Sequence, residues 1–219
     1  MKTKELNTNF LLVAALGHLL CWLGGDLLLF FVPNGPLEVM GLFDYGKTAQ
    51  MLEGASPLQF TISGIAGTVA MMLALPGYYQ IHLFLKPVSK RAGAVAGVGA
   101  LLTCVAWAVM HFTCTSMLWY FVKSGATAEA HSIMLSFFFE TAVTSAMCNL
   151  GVMLVAVPLL VLVAKGRTCL PKWACLVNTL PLTRAAGVLF AVMGAMNLGS
   201  AMMFFGLHRL LKQQEIVPA

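Results

Sequence analysis

"GHLLCWLGGDLLLFF", residues 17–31, is the stretch on which the fold turns. It lies inside an apolar run from about Asn9 to Val32, interrupted by two polar side chains, His18 and Asp26. A helix needs about 20 apolar residues to cross a hydrocarbon core of roughly 30 Å, and this run is long enough. Lys2 and Lys4 ahead of it give the start a superficial likeness to a signal peptide. The apolar region of such a peptide is only about 7–15 residues, so the run reads as a retained signal-anchor helix. A carboxylate among leucines is costly, and such groups face the bundle interior and mark candidate functional sites.

The rest of the chain repeats the pattern. Of 219 residues, 59% are hydrophobic and 10% charged, against about 25% charged in soluble domains. Lipid is therefore the expected solvent. Further apolar runs cover about Leu58–Leu85, Ala92–Val122, Ser132–Ala164 and Ala185–Leu207. They are continuous, whereas barrel strands alternate lipid-facing and lumen-facing residues, which excludes a barrel. "WACLVNTLPL", residues 173–182, contains Pro181 and is too short to cross, so it reads as an interfacial or re-entrant segment. The expectation is an all-α polytopic transmembrane helix bundle of five spans, or six if that segment crosses. No segment between the runs is long enough for a soluble domain, so residues 1–219 read as a single integral membrane domain.

The net charge of +5 comes from residues in short loops. Lys86, Lys90 and Arg91 form one cluster and Lys165, Arg167 and Lys172 another. Such clusters face the cytoplasm, which places the N-terminus there as well and the 33–57 and 123–131 loops outside. The expected location is the cell (plasma or inner) membrane. Five spans would leave Arg209 and Lys212 outside, against this rule, and six would bring them back inside. No basic stripe is interleaved with aromatics, so nucleic acid is not an expected partner; the lipid bilayer is. The six cysteines form no C-x-x-C pair and read as packing residues. Neither H-E-x-x-H nor G-x-S-x-G occurs. Small residues at four-residue spacing (Ala66, Ala70 and Ala74; Gly93 and Gly97; Gly187, Ala191, Ala195 and Gly199) predict close helix contacts.

A rise of 1.5 Å per residue puts Asp26, His111 and Glu140, on three different spans, at similar depth towards the outer side, with His18 nearer the midplane. Trp22 lies one helical turn before Asp26; Trp107, His111 and Thr115 share a stripe, as do Glu140 and Thr144. The expectation is an outward-opening pocket lined by these residues for a small ligand, a lipid headgroup or a proton. Three alternatives stand beside it. Asp26 and His111 could pair only to fix helix register. Asp26, His111 and Glu140, with His18 as a further ligand or base, have the ligand chemistry of an intramembrane metal-dependent hydrolase. The small-residue stripes also suit a subunit of a larger membrane assembly. No cofactor and no catalytic residue is assigned.

At Gly25-Asp26, at Gly77-Tyr78 with Pro87, and at Pro171-Lys172-Trp173 with Asn178, the chain resembles small multi-pass bacterial membrane proteins of unknown function. The resemblance covers most of the chain in order. It implies the membrane architecture and supplies no activity.

Overall fold

The computed structural model describes residues 6–190 and 194–216. Among the described residues, four helical stretches are long and apolar enough to cross a membrane: Asn9–Phe30, Pro57–Leu85, Lys90–Lys123 and Ala128–Ala164. The first comprises α1 (Asn9–Leu20), a π-helical turn (Cys21–Asp26) and α2 (Leu27–Phe30). A short antiparallel pairing of Phe31–Val32 with Gly35–Pro36 and a small helix, α3 (Tyr45–Leu52), follow. Then come α4 (Pro57–Leu85), α5 (Lys90–Lys123), α6 (Ala128–Thr141) and α7 (Val143–Ala164). At 1.5 Å per residue, α4 and α5 extend about 44 and 51 Å, more than a hydrocarbon core needs. Their starts are written locally. The Ser56, Ser89 and Thr127 hydroxyls accept hydrogen bonds from the backbone N–H groups of Leu58, Ala92 and Ala130, satisfying donors that a helix leaves free in its first turn.

Around the bundle, α1 packs on α4, α4 on α5, and α5 on α7. Small residues permit this closeness. A Cβ built on Gly17 would stand 2.7 Å from the Ala70 carbonyl oxygen, and one on Gly99 2.8 Å from that of Gly151. Ala70 and Ala74, two of the predicted contact residues, are fully buried.

The last apolar stretch differs from the single helix expected over 185–207. Two helices stand there, α8 (Thr179–Phe190) and α9 (Ala195–Ile216), packed side by side. They run antiparallel. The Thr179 and Ser200 hydroxyls are 2.8 Å apart, Gly199 lies against Thr183, and Gly206 lies against Val177. The stripe predicted along one helix is thus shared between two, with Gly187 opposite Ala195; Ala191 lies outside the described residues. Asn178 donates from its side chain to the Ala156 carbonyl, 2.9 Å, tying the start of this hairpin to α7, and α9 packs on α1, closing the ring.

The hairpin therefore returns to the end of the bundle from which it starts. His208 donates through Nδ1 to the Thr8 carbonyl, and Gln214 donates to the Cys169 carbonyl, both at 2.8 Å. Arg209 and Lys212 join Lys86, Lys90, Arg91, Lys165, Arg167 and Lys172 at one basic end. The conflict with charge asymmetry that five crossings would create does not arise. At the opposite end, His131 is buried, donating through Nε2 to the Leu42 carbonyl, 2.9 Å, while Tyr45 donates to the Ala126 carbonyl. These contacts seat the 33–56 connection on α5 and α6.

Candidate functional site

The π-helical turn organises the site. Its closing hydrogen bond runs from the Leu27 N–H to the Trp22 carbonyl, five residues back. The Gly25 carbonyl accepts a hydrogen bond from Ser63 of α4, 2.8 Å away. In an α-helix, side chains five residues apart point about 140° away from one another. The wider turn brings Cys21 and Asp26 to one side. Trp22, expected beside Asp26, is only partly buried, and its indole nitrogen has no hydrogen-bond partner among the described residues.

Three elements meet at Asp26: the π-helical turn, α5 and α9. Asn197, in the first turn of α9, donates from Nδ2 to Asp26 Oδ2 at 2.7 Å and to Cys21 Sγ at 3.1 Å. His111 of α5 places Nε2 3.0 Å from Cys21 Sγ and 3.6 Å from Asp26 Oδ1. Donor atoms of Cys21, Asp26 and His111 all lie within 4.8 Å of one another. On its other side, the Asn197 carbonyl oxygen is 2.8 Å from His18 Nδ1, and His18 Nε2 is 3.1 Å from the Tyr78 hydroxyl. An amide oxygen only accepts, so His18 carries its proton on Nδ1 and Tyr78 donates to Nε2. Three aromatic rings surround that imidazole: Phe204 stacked, Tyr78 and Trp107 edge-on, all with centroids within 5.7 Å.

Glycines make the room. A Cβ on Gly67 would fall 2.5 Å from His111 Cγ. One on Gly194 would collide with the Asp26 carboxylate, and Gly194 has φ +84°, a conformation that side chains rarely adopt. Gly194, just before α9, can therefore lie directly on Asp26.

Of the predicted site residues, Asp26, His111 and His18 come together, with Trp107 against His18. They are 7%, 4% and 0% exposed, so this is a closed cluster instead of the outward-opening pocket expected. Thr115 lies one turn beyond His111 and is buried, its hydroxyl donating to the His111 carbonyl. It lines a separate apolar groove of about 550 Å³ with Phe60, Gly64, Phe112, Met134 and Phe137, between α4, α5 and α6. Glu140 and Thr144 stand apart. Glu140 is exposed on α6 and accepts a hydrogen bond from Ser136, 2.9 Å. Thr144 donates to the Thr141 carbonyl and faces a second apolar groove. Cys21, Tyr78, Gly194 and Asn197 are not among the predicted site residues.

With this geometry in view, the comparison with known sequences adds the family. The chain belongs to DUF6796, a family of unknown function, which matches residues 1–214. No curated protein and no solved structure gave a match. The family agrees with the resemblance seen in the sequence and, like it, carries no activity.

Proposed function

We propose that the protein is a non-enzymatic, multi-pass membrane binding protein that takes up a small cation, a metal ion or a proton, at the cluster of Cys21, Asp26, His111 and Asn197. One observation carries the reading. Asp26 is buried, yet among the described residues no Lys or Arg stands within 4 Å of it; His111 is its one ionisable partner of basic type. An ionised carboxylate removed from water without a counter-charge is very costly, so a cation completes the site. The neighbours supply polar groups and no fixed positive charge.

Burial favours binding over hydrolysis, because a hydrolytic metal keeps an open position for water. Glu140, the third ligand of the hydrolase alternative, is exposed on another helix. The positive-inside rule assigns the basic end to the cytoplasm, and with it the N-terminus and the open end of the α8–α9 hairpin. The membrane is then a cell membrane, with the bilayer as the protein's immediate partner.

The test is ligand-linked stability. Protein stripped with chelator in mild detergent is unfolded by heat in sodium, magnesium or zinc salts and across a range of pH. A bound cation at 100 times its Kd stabilises by about 2.7 kcal/mol. At least one of these conditions should raise the midpoint of the wild type and leave Asp26→Asn unmoved. Identical responses in the two proteins would reduce the cluster to a helix-register device.

A further inference from the structure

We infer that the cation is a zinc-type divalent metal, held by Cys21 Sγ, Asp26 and His111 Nε2, with the Asn197 amide at the fourth corner. The inference rests on the cation reading above and names the ion.

Geometry is the first support. With bonds of 2.0–2.3 Å, a tetrahedral zinc ion keeps neighbouring ligand atoms roughly 3.3–3.8 Å apart. Around this cluster the separations are 3.0 Å from His111 Nε2 to Cys21 Sγ and 3.6 Å from His111 Nε2 to Asp26 Oδ1. From Asn197 Nδ2 they are 3.1 Å to Cys21 Sγ and 2.7 Å to Asp26 Oδ2. Shifts of a few tenths of an ångström to about one ångström turn this contact set into a coordination shell. Turning the Asn197 amide over aims its oxygen at the metal and its Nδ2 at His18 Nδ1. His18 then accepts there and, protonated on Nε2, donates to the Tyr78 oxygen. Every hydrogen bond of the second layer survives by moving one proton on one imidazole.

Charge is the second support. Thiolate and carboxylate together carry two negative charges, which a divalent ion cancels, leaving a neutral site among apolar helices. Metal entry releases the thiol proton of Cys21 and any proton held by Asp26 to the solvent. The donor set also discriminates. A thiolate disfavours magnesium and calcium, a carboxylate disfavours monovalent copper, and mixed sulfur, nitrogen and oxygen ligands suit zinc.

Topology gives the ion a role. Its ligands come from the π-helical turn, α5 and α9, so binding clamps the returning hairpin onto the first and third membrane helices. Four protein ligands in a buried position are the mark of a structural metal and not of a hydrolytic one.

The experiment uses full-length protein in mild detergent. Metal content is measured after chelator-free purification; stripped protein is then titrated with Zn²⁺ and, as an optical probe, Co²⁺. One zinc per chain is expected, with a thiolate-to-cobalt charge-transfer band and the ligand-field bands of tetrahedral cobalt. Cys21→Ser should remove the charge-transfer band, and Cys169→Ser, at the exposed basic end, should keep it. His18→Phe, outside the ligand set but removing the hydrogen-bond partner of Asn197, should weaken zinc binding about 10–100-fold. Since His111→Ala risks misfolding, His111→Gln is made alongside it, and folded protein of either kind should hold no zinc. A folded wild type that takes up neither zinc nor cobalt overturns the inference, as does a cobalt spectrum unchanged by Cys21→Ser. If zinc fails while acid or sodium still stabilises the wild type and not Asp26→Asn, the metal alone is wrong. If nothing distinguishes those two proteins, the cation reading falls too.

Discussion

Cys21 and Asp26, five residues apart on one helix, both accept from the same amide nitrogen of Asn197, at 3.1 and 2.7 Å. A regular α-helix would point them about 140° apart. Their convergence is the work of the π-helical turn, a deformation found frequently at functional sites. It also means that this buried cluster depends on a side chain from near the opposite end of the chain.

Asn197 is therefore the residue whose loss should cost most within the cluster. Asn197→Leu leaves the Asp26 carboxylate, the Cys21 sulfur and His18 Nδ1 without their shared partner. Each buried polar group left unpaired costs about 1–3 kcal/mol. Denaturant unfolding in detergent should show a loss at the upper part of that range. Asn197→Gln, which keeps the amide on a longer stem, should recover part of it. A Leu variant as stable as the wild type would show that the network contributes nothing to folding.

Two glycines near His111 should behave differently. A methyl on Gly67 would come within 2.5 Å of His111 Cγ, and one on Gly25 only within 3.4 Å of His111 Cε1. Gly67→Ala should displace the ring and destabilise by about 1–3 kcal/mol, the usual cost of overpacking. Gly25→Ala should stay close to the wild type. Thermal midpoints of the two purified variants, compared side by side, check the order.

Gly194→Ala combines backbone strain with a steric clash against Asp26. The backbone at φ +84° costs a non-glycine residue on the order of 1 kcal/mol or more, and the clash adds to it. Loosened attachment of the hairpin should then appear as faster amide exchange in α9 than in α4, read by hydrogen-exchange mass spectrometry. Unaltered exchange in α9 would argue against the packing of Gly194 on Asp26.

The hairpin makes a topological prediction as well. Cys169 is exposed at the basic end, whereas Cys21, Cys104 and Cys148 are buried. A membrane-impermeant maleimide should reach Cys169 and an introduced Gln213→Cys from one side of the membrane, and Met40→Cys from the other. Labelling of Gln213→Cys from the Met40 side would mean that the last stretch crosses after all.

Much of this architecture was legible because lipid imposes a simple rule. A spanning segment must satisfy its own backbone and present apolar side chains, so long helices announce themselves as long apolar runs. The convergence of Asp26 and His111 was legible for a related reason, since buried ionisable groups in lipid seek one another. Glu140 and Thr144 show where that reasoning stops. A helix that is apolar nearly all round has no amphipathic stripe to say which side faces inward, so equal depth did not mean a shared pocket.

By itself the sequence determined the solvent, the long helices, the basic end and the presence of a carboxylate that needs company. These follow from local composition, which acts residue by residue along the chain. Tertiary structure alone decided that the last apolar stretch folds back, that Cys21 turns to Asp26, and that Asn197 joins both to His18. Those outcomes depend on helix–helix packing, in which small residues let two backbones approach and one unpaired polar group selects its partner from a distant helix.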